Sequence, residues 1–115
     1  MRIDDIVQRL QLDIVNSADL DREITGGYAS DLLSCVMAGA KAGSVWVTLQ
    51  AHPNVVAVAS LLELSGVIVT EGVSPDPETI SKARQVGIAL LSTHKDTFTV
   101  AGELAAMGIR GPKSE

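Results

Sequence analysis

At 115 residues, 46% hydrophobic and 20% charged, the chain has the composition of one globular domain, with no room for a second. Nine Lys and Arg against fourteen Asp and Glu give a net charge of -5, and the basic residues are scattered rather than interleaved with aromatics, which excludes a nucleic-acid surface. A single cysteine, Cys35, excludes an intrachain disulfide or an all-cysteine metal site.

No apolar run reaches the roughly 18 residues of a membrane span, and the N-terminus MRIDDIVQRL carries acids where a signal peptide has a basic start. The expectation is a soluble, cytoplasmic domain over residues 1–115 with a loose tail at 111–115.

In chain order, Ile3, Ile6, Val7 and Leu10 form one stripe of a short amphipathic helix from Arg2 to Leu10. Leu12–Val15 reads as a short strand. Asn16–Gly27 reads as a long connection, with a brief extended piece around Glu23–Thr25. Leu32, Leu33, Val36, Met37 and Ala40 predict a helix over Tyr28–Ala42, ended by Gly43, with Cys35 as a small buried hydrophobe in it.

The run Val45–Leu49 is β-branched and apolar, the signature of a buried strand. It breaks at Gln50-Ala51-His52-Pro53, and a helix from Asn54 to Leu64 follows, apolar on all sides, so that no face of it is expected in water. Val67–Val69 is a further strand. Asp76-Pro77-Glu78 is a strong helix start, with Asp76 as cap, and predicts a helix over Pro77–Val86 that Gly87 ends. Ile88–Leu91 is the fourth strand. Asp96 is the expected cap of a last helix, Thr97–Met107, with Phe98, Ala101, Leu104 and Ala105 inward.

Apolar strands alternating with helices of this length predict an α/β fold: a small parallel sheet of about four strands with helices on both faces. In such a sheet the loops leaving the carboxyl ends of the strands share one edge with the helix N-termini. Those loops are Asn16–Gly27, Gln50–Asn54, Thr70–Asp76 and Ser92–Asp96. The expected ligand-binding residues are therefore Arg22, Gly26, Gly27, Gln50, His52, Asn54, Thr70, Glu71, Gly72, Thr93 and Asp96.

The run VWVTLQAHPNVVAVASLLELSGVIVTEGVSPDPETISKARQVGIALLSTHKDTFTVAGEL resembles the DRTGG domain, a module similar to the N-terminal domain of HPr kinase/phosphorylase and also found beside CBS domains. The family name comes from a Gly-Asp-Arg loop after one strand and a Thr-Gly-Gly loop after the next. Here Gln50-Ala51-His52 and Thr70-Glu71-Gly72 stand in those places. The segments DREITGGYASDLLS and VWVTLQAHPN resemble the marks of a short stand-alone branch, whose members are often labelled serine kinases.

A phosphate cradle of the kind phosphoryl transfer needs is missing, since GAKAGS at Gly39–Ser44 has the wrong order. The resemblance thus implies a non-catalytic regulatory or ligand-sensing module without a cofactor or metal. It would bind a small anionic metabolite, a nucleotide or a partner protein. The all-apolar helix further predicts a homo-oligomer, most simply a dimer. Two alternatives stand beside this reading: a small enzyme using His52 with a carboxylate, and a purely structural oligomerisation domain.

Overall fold

The computed structural model describes residues 1–113. Its elements are α1 (Ile3–Leu10), β1 (Asp13–Asn16), β2 (Gly26–Ala29), α2 (Leu33–Gly39), β3 (Ser44–Thr48), α3 (Pro53–Leu61), β4 (Gly66–Val69), α4 (Pro77–Val86), β5 (Ala89–Ser92) and α5 (Thr97–Ala106). The last two residues of the expected loose tail lie outside the described part.

Five strands form one sheet in the order β1-β5-β4-β3-β2. The β2–β3, β3–β4 and β4–β5 pairs are parallel, whereas β1 runs antiparallel to β5. The sheet is therefore mixed and has one strand more than the expected four. The added strand is β2, Gly-Gly-Tyr-Ala, which was expected to lie partly in a loop and partly in a helix. Its composition has little strand preference, and pairing along β3 holds it extended. Trp46 fixes the next residue, its Nε1 donating to the Ser30 carbonyl at 2.9 Å. Tyr28 reaches over Gly39 to donate to the Cys35 carbonyl at 3.1 Å, so α2 begins only at Leu33.

Alternation along the central strands divides the core into two layers. Val45, Val47, Ile68, Ala89 and Leu91 pack with Ile3, Ile6 and Leu10 of α1 and with Val100 and Leu104 of α5. Trp46, Val67, Val69 and Leu90 face the other way, against Val36 of α2, Val55, Val56 and Ala59 of α3, and Ala83 of α4. Helices cover both faces, as expected. Gly66 is required where α1 crosses the sheet, because a Cβ there would come within 2.9 Å of Ile3 Cδ1.

Several inward and outward assignments differ from the helical patterns. Phe98 is 88% exposed, and Val100 takes the place in the core that its spacing suggested. Cys35 is exposed, as are Leu32 and Met37, because the short α2 turns only Val36 fully inward. Helix α3 buries Val55, Val56 and Ala59 but leaves Leu61 69% exposed, so one side of it meets solvent in the single chain. Asp76 stands at the N-cap of α4 without a side-chain capping bond, although Pro77 opens the helix as anticipated.

The connection between β1 and β2 crosses the whole width of the sheet. Because β1 is antiparallel, this segment leaves from the amino ends of the parallel strands. It is pinned there by the free amides of α1, Ile3 N donating to Arg22 O at 3.0 Å and Asp4 N to Leu20 O at 2.8 Å. The extended piece anticipated near Glu23 is a single bridge between Arg2 and Glu23.

Ile68 lies in the middle strand of the sheet and is fully buried. Ile68→Ala is expected to destabilise the fold by about 2–5 kcal/mol. Urea unfolding should show a lower midpoint with an unchanged slope, and an unaltered midpoint would refute the placement of the core.

Candidate functional site

The carboxyl ends of β2 to β5 share one edge of the sheet, and the starts of α2, α3, α4 and α5 lie beside it. Arg22, Gly26 and Gly27 are not part of it. Gly26 pairs with Ser44 at the amino end of β3, and Arg22 donates to the Glu63 carbonyl just ahead of β4, so these three residues sit at the opposite end. The reversed direction of β1 is the cause: its trailing loop leaves from the other edge.

The remaining candidates divide into three groups. Thr70, Glu71 and Asp96 serve the start of α5. Asp96 Oδ1 accepts from Thr99 N at 2.7 Å, the capping bond its position predicts. Glu71 Oε2 accepts from Thr97 N at 2.8 Å. Thr70, fully buried, shares a 2.6 Å hydroxyl contact with Thr97 and lies 3.3 Å from the Thr48 carbonyl. Two carboxylates of the chain thus occupy the positive end of α5, where an external anion would otherwise be drawn. Bonding from the Thr99 amide, and then from its hydroxyl, holds the Asp96 carboxyl below its ordinary value of 3.8.

Gln50, His52 and Asn54 line a shallow cleft of about 190 Å³ with Leu33 and Val55. His52 is the N-cap of α3, and its Nδ1 accepts from Asn54 N at 3.3 Å. None of the residues lining this cleft is an Asp or Glu.

Gly72 and Thr93 line a larger cleft of about 320 Å³, together with Asp13, Ser74, Ile80 and His94. It opens between the loop after β4, the end of β5 and the start of β1. Glu71 and Gly72 both adopt left-handed backbone, with φ of 64° and 71°. Gly72 is needed twice over, because a Cβ at this position would also stand 3.0 Å from His94 Nδ1. Its amide donates to the Thr93 carbonyl at 3.0 Å, and Glu71 N to Lys95 O at 2.8 Å, which locks the two loops together. His52 and His94 line different clefts. Among the described residues no group of three or more His, Cys, Asp or Glu is placed to hold a metal ion.

One residue of this edge escaped the sequence reading. Asp31, in the loop after β2, accepts from both Thr48 Oγ1 and Leu49 N at 2.9 Å, and its carbonyl accepts from Gln50 Nε2 at 3.2 Å. It fixes the loop that carries Gln50 and His52. An acidic residue just ahead of a helix was the available signal, hidden because the helix was placed too early.

The architecture defines a class: a small three-layer α/β module in which the loops after the parallel strands gather at one sheet edge. The chain belongs to the DRTGG domain family, which matches residues 5–107. No curated protein matches it. Among solved structures, the fold is similar to that of the CBS and DRTGG domains of the regulatory region of Clostridium perfringens pyrophosphatase, complexed with its activator, diadenosine tetraphosphate. That likeness has a TM-score of 0.69 at 19% identity, and covers 90% of this chain but only 45% of the other. Fold is what the two share at this identity.

Two expected outcomes follow from the loop anchors. Asp31→Ala leaves the amide of Leu49 and the hydroxyl of Thr48 without their acceptor and should cost about 1–3 kcal/mol in chemical unfolding. For Asp96, a carboxyl held below 3.8 adds stability that is complete above that value and fades as pH falls through its folded-state pKa. The melting temperature of the wild type should exceed that of Asp96→Asn at neutral pH, with the gap closing in acid. A gap that stays constant with pH would show that the charge plays no part.

Proposed function

We propose that the chain is a non-catalytic regulatory module that senses a small anionic metabolite or nucleotide in the cleft between Gly72, Ser74, Thr93 and His94. The observation that carries this reading is the cleft itself. It is the larger of the two openings at the carboxyl edge, and a glycine in left-handed backbone keeps it open against an imidazole. Ligands of open α/β sheets favour this edge. Family membership supports a regulatory role, as does the fold shared with a pyrophosphatase regulatory region bound to a nucleotide activator. The resemblance to the HPr kinase/phosphorylase N-terminal domain belongs to the same proposal, as does a cytoplasmic location; no helix of the described residues is long and apolar enough to cross a membrane.

Within the cleft, His94 supplies an imidazole, and Asp13, which pairs with Ser92, supplies a carboxylate. An anionic group belongs at the Gly72–His94 end, where neither Glu71 nor Asp96 competes, since both are engaged with α5. A neutral or hydroxylated portion of the ligand suits the Asp13 end.

A second reading is favoured by a specific feature. Leu32, Leu49 and Phe98 are exposed at or near the same edge, and Leu61 and Met37 on the helices of one face. These side chains suit a partner protein or a second copy of the chain, so self-association into a dimer remains part of the proposal.

Ligand screening by thermal shift tests the main reading, because a ligand at 100 times its dissociation constant adds about 2.7 kcal/mol. A nucleotide or small phosphorylated metabolite should raise the melting temperature of the wild type, and Gly72→Asp or His94→Ala should abolish the rise. No stabilisation by any of them would sink the ligand reading. For self-association, sedimentation should give a dimer that Leu61→Glu or Phe98→Glu returns to monomer, and a wild-type monomer at high micromolar concentration would dismiss it.

A further inference from the structure

We infer that the amino end of the sheet carries a second, independent binding site, for the phosphate group of a small molecule, built from Lys41, Ser44, Arg110 and the open side of Gly26. The displaced residues of the β1–β2 connection lead to it. A pocket of about 150 Å³ opens where Thr25 and Gly26 enter β2, between the turn at Lys41 and the segment after α5 that contains Arg110 and Gly111. That segment is held along β2 by a 3.0 Å bond from Gly27 N to the Arg110 carbonyl, so the guanidinium is carried on an anchored backbone.

Three features point to an oxyanion. First, the pocket is lined by two cations and by no carboxylate, in a chain whose net charge is -5. Lys41 and Arg110 form no ion pair among the described residues, whereas Arg2, Arg22 and Lys95 each have an acidic neighbour. Second, Ser44 is only 2% exposed yet lines this pocket, and its hydroxyl enters no hydrogen bond among the described residues. The buried side-chain polar atom left without a partner among the described residues is Ser65 Oγ, whereas the Ser44 hydroxyl opens onto the pocket and is available to a ligand there.

Third, Gly26 brings the lining segments together: a Cβ there would stand 3.0 Å from the Arg110 carbonyl and 3.5 Å from Ser44 Oγ, so its absence lets the Arg110 segment lie against β2 beside Ser44. A guanidinium, an ammonium and a hydroxyl lining one pocket from three segments offer more charge and more donors than one carboxylate needs, and suit a multiply charged phosphate.

The test is amide NMR on the isotope-labelled full chain, with inorganic phosphate and, separately, adenosine monophosphate titrated against chloride at constant ionic strength. Saturable shifts are expected at Thr25, Gly26, Ser44 and Gly111. In the Lys41→Gln/Arg110→Gln double variant, both sites of which are exposed, the midpoint should weaken about tenfold or more. Saturation by inorganic phosphate alone would assign the pocket to the free ion, and equal or tighter saturation by the nucleotide would assign it to a phosphate on a larger body. The proposal is overturned if these amides drift linearly, or if the double variant responds as the wild type does. Shifts confined to Gly72, Thr93 and His94 would overturn it while leaving the carboxyl-edge reading standing.

Discussion

The constraint on which this structure depends is that β3, β4 and β5 must be covered on both faces. Their residues are buried throughout, apart from Ser92 at the end of β5. Adjacent residues point to opposite layers, so Trp46 and Val47 demand helices on opposite sides of the same strand. A chain of this length answers with five helices of seven to ten residues. Coverage is complete over the central strands and thin beyond them. On the α1–α5 face, Ala29 and Val47 line an open groove with Ala101, Ala105 and Ile109.

Short helices have a second consequence, because each presents unpaired amides at its start over only a few turns of structure. At the carboxyl edge two of the four helix starts are capped internally. His52 caps α3, Asp96 caps α5, and Glu71 adds a second carboxylate to α5. The starts of α2 and α4 carry no side-chain cap. The larger opening lies by the start of α4, in the space that Gly72 leaves next to His94.

Much of this fold was legible in the residues. β3, β4 and β5 announce themselves as β-branched runs, α4 by Pro77 and its closing Gly87, and α5 by the Asp96 cap. Strand β2 was hidden because Gly-Gly-Tyr-Ala becomes extended only through its pairing with β3. Hydrophobic alternation carries no sign of strand direction, so the antiparallel β1 could not be seen. Arg22, Gly26 and Gly27 were in consequence expected at the carboxyl edge but lie at the amino end of the sheet, while Gln50, His52, Thr70 and Gly72 follow the carboxyl ends of β3 and β4. Phe98 marks another limit: the buried stripe of α5 runs through Val100 and Leu104, and Phe98 lies on the other side of the helix.

The departures from the family pattern acquire a physical meaning in this arrangement. Where the resemblance sets Gly-Asp-Arg, this chain has Gln50-Ala51-His52, and all three residues are tied into the scaffold. The Gln50 side chain holds the Asp31 carbonyl, the Ala51 carbonyl accepts from Asp76 N at 3.3 Å and from the Thr79 hydroxyl, and His52 caps α3. A loop so engaged has few groups left for a ligand. The Thr70-Glu71-Gly72 loop divides its tasks instead: Thr70 and Glu71 hold α5, and Gly72 alone leaves space. On the reading proposed above, selectivity rests on the second loop and its neighbour His94, because the first loop is held in the scaffold.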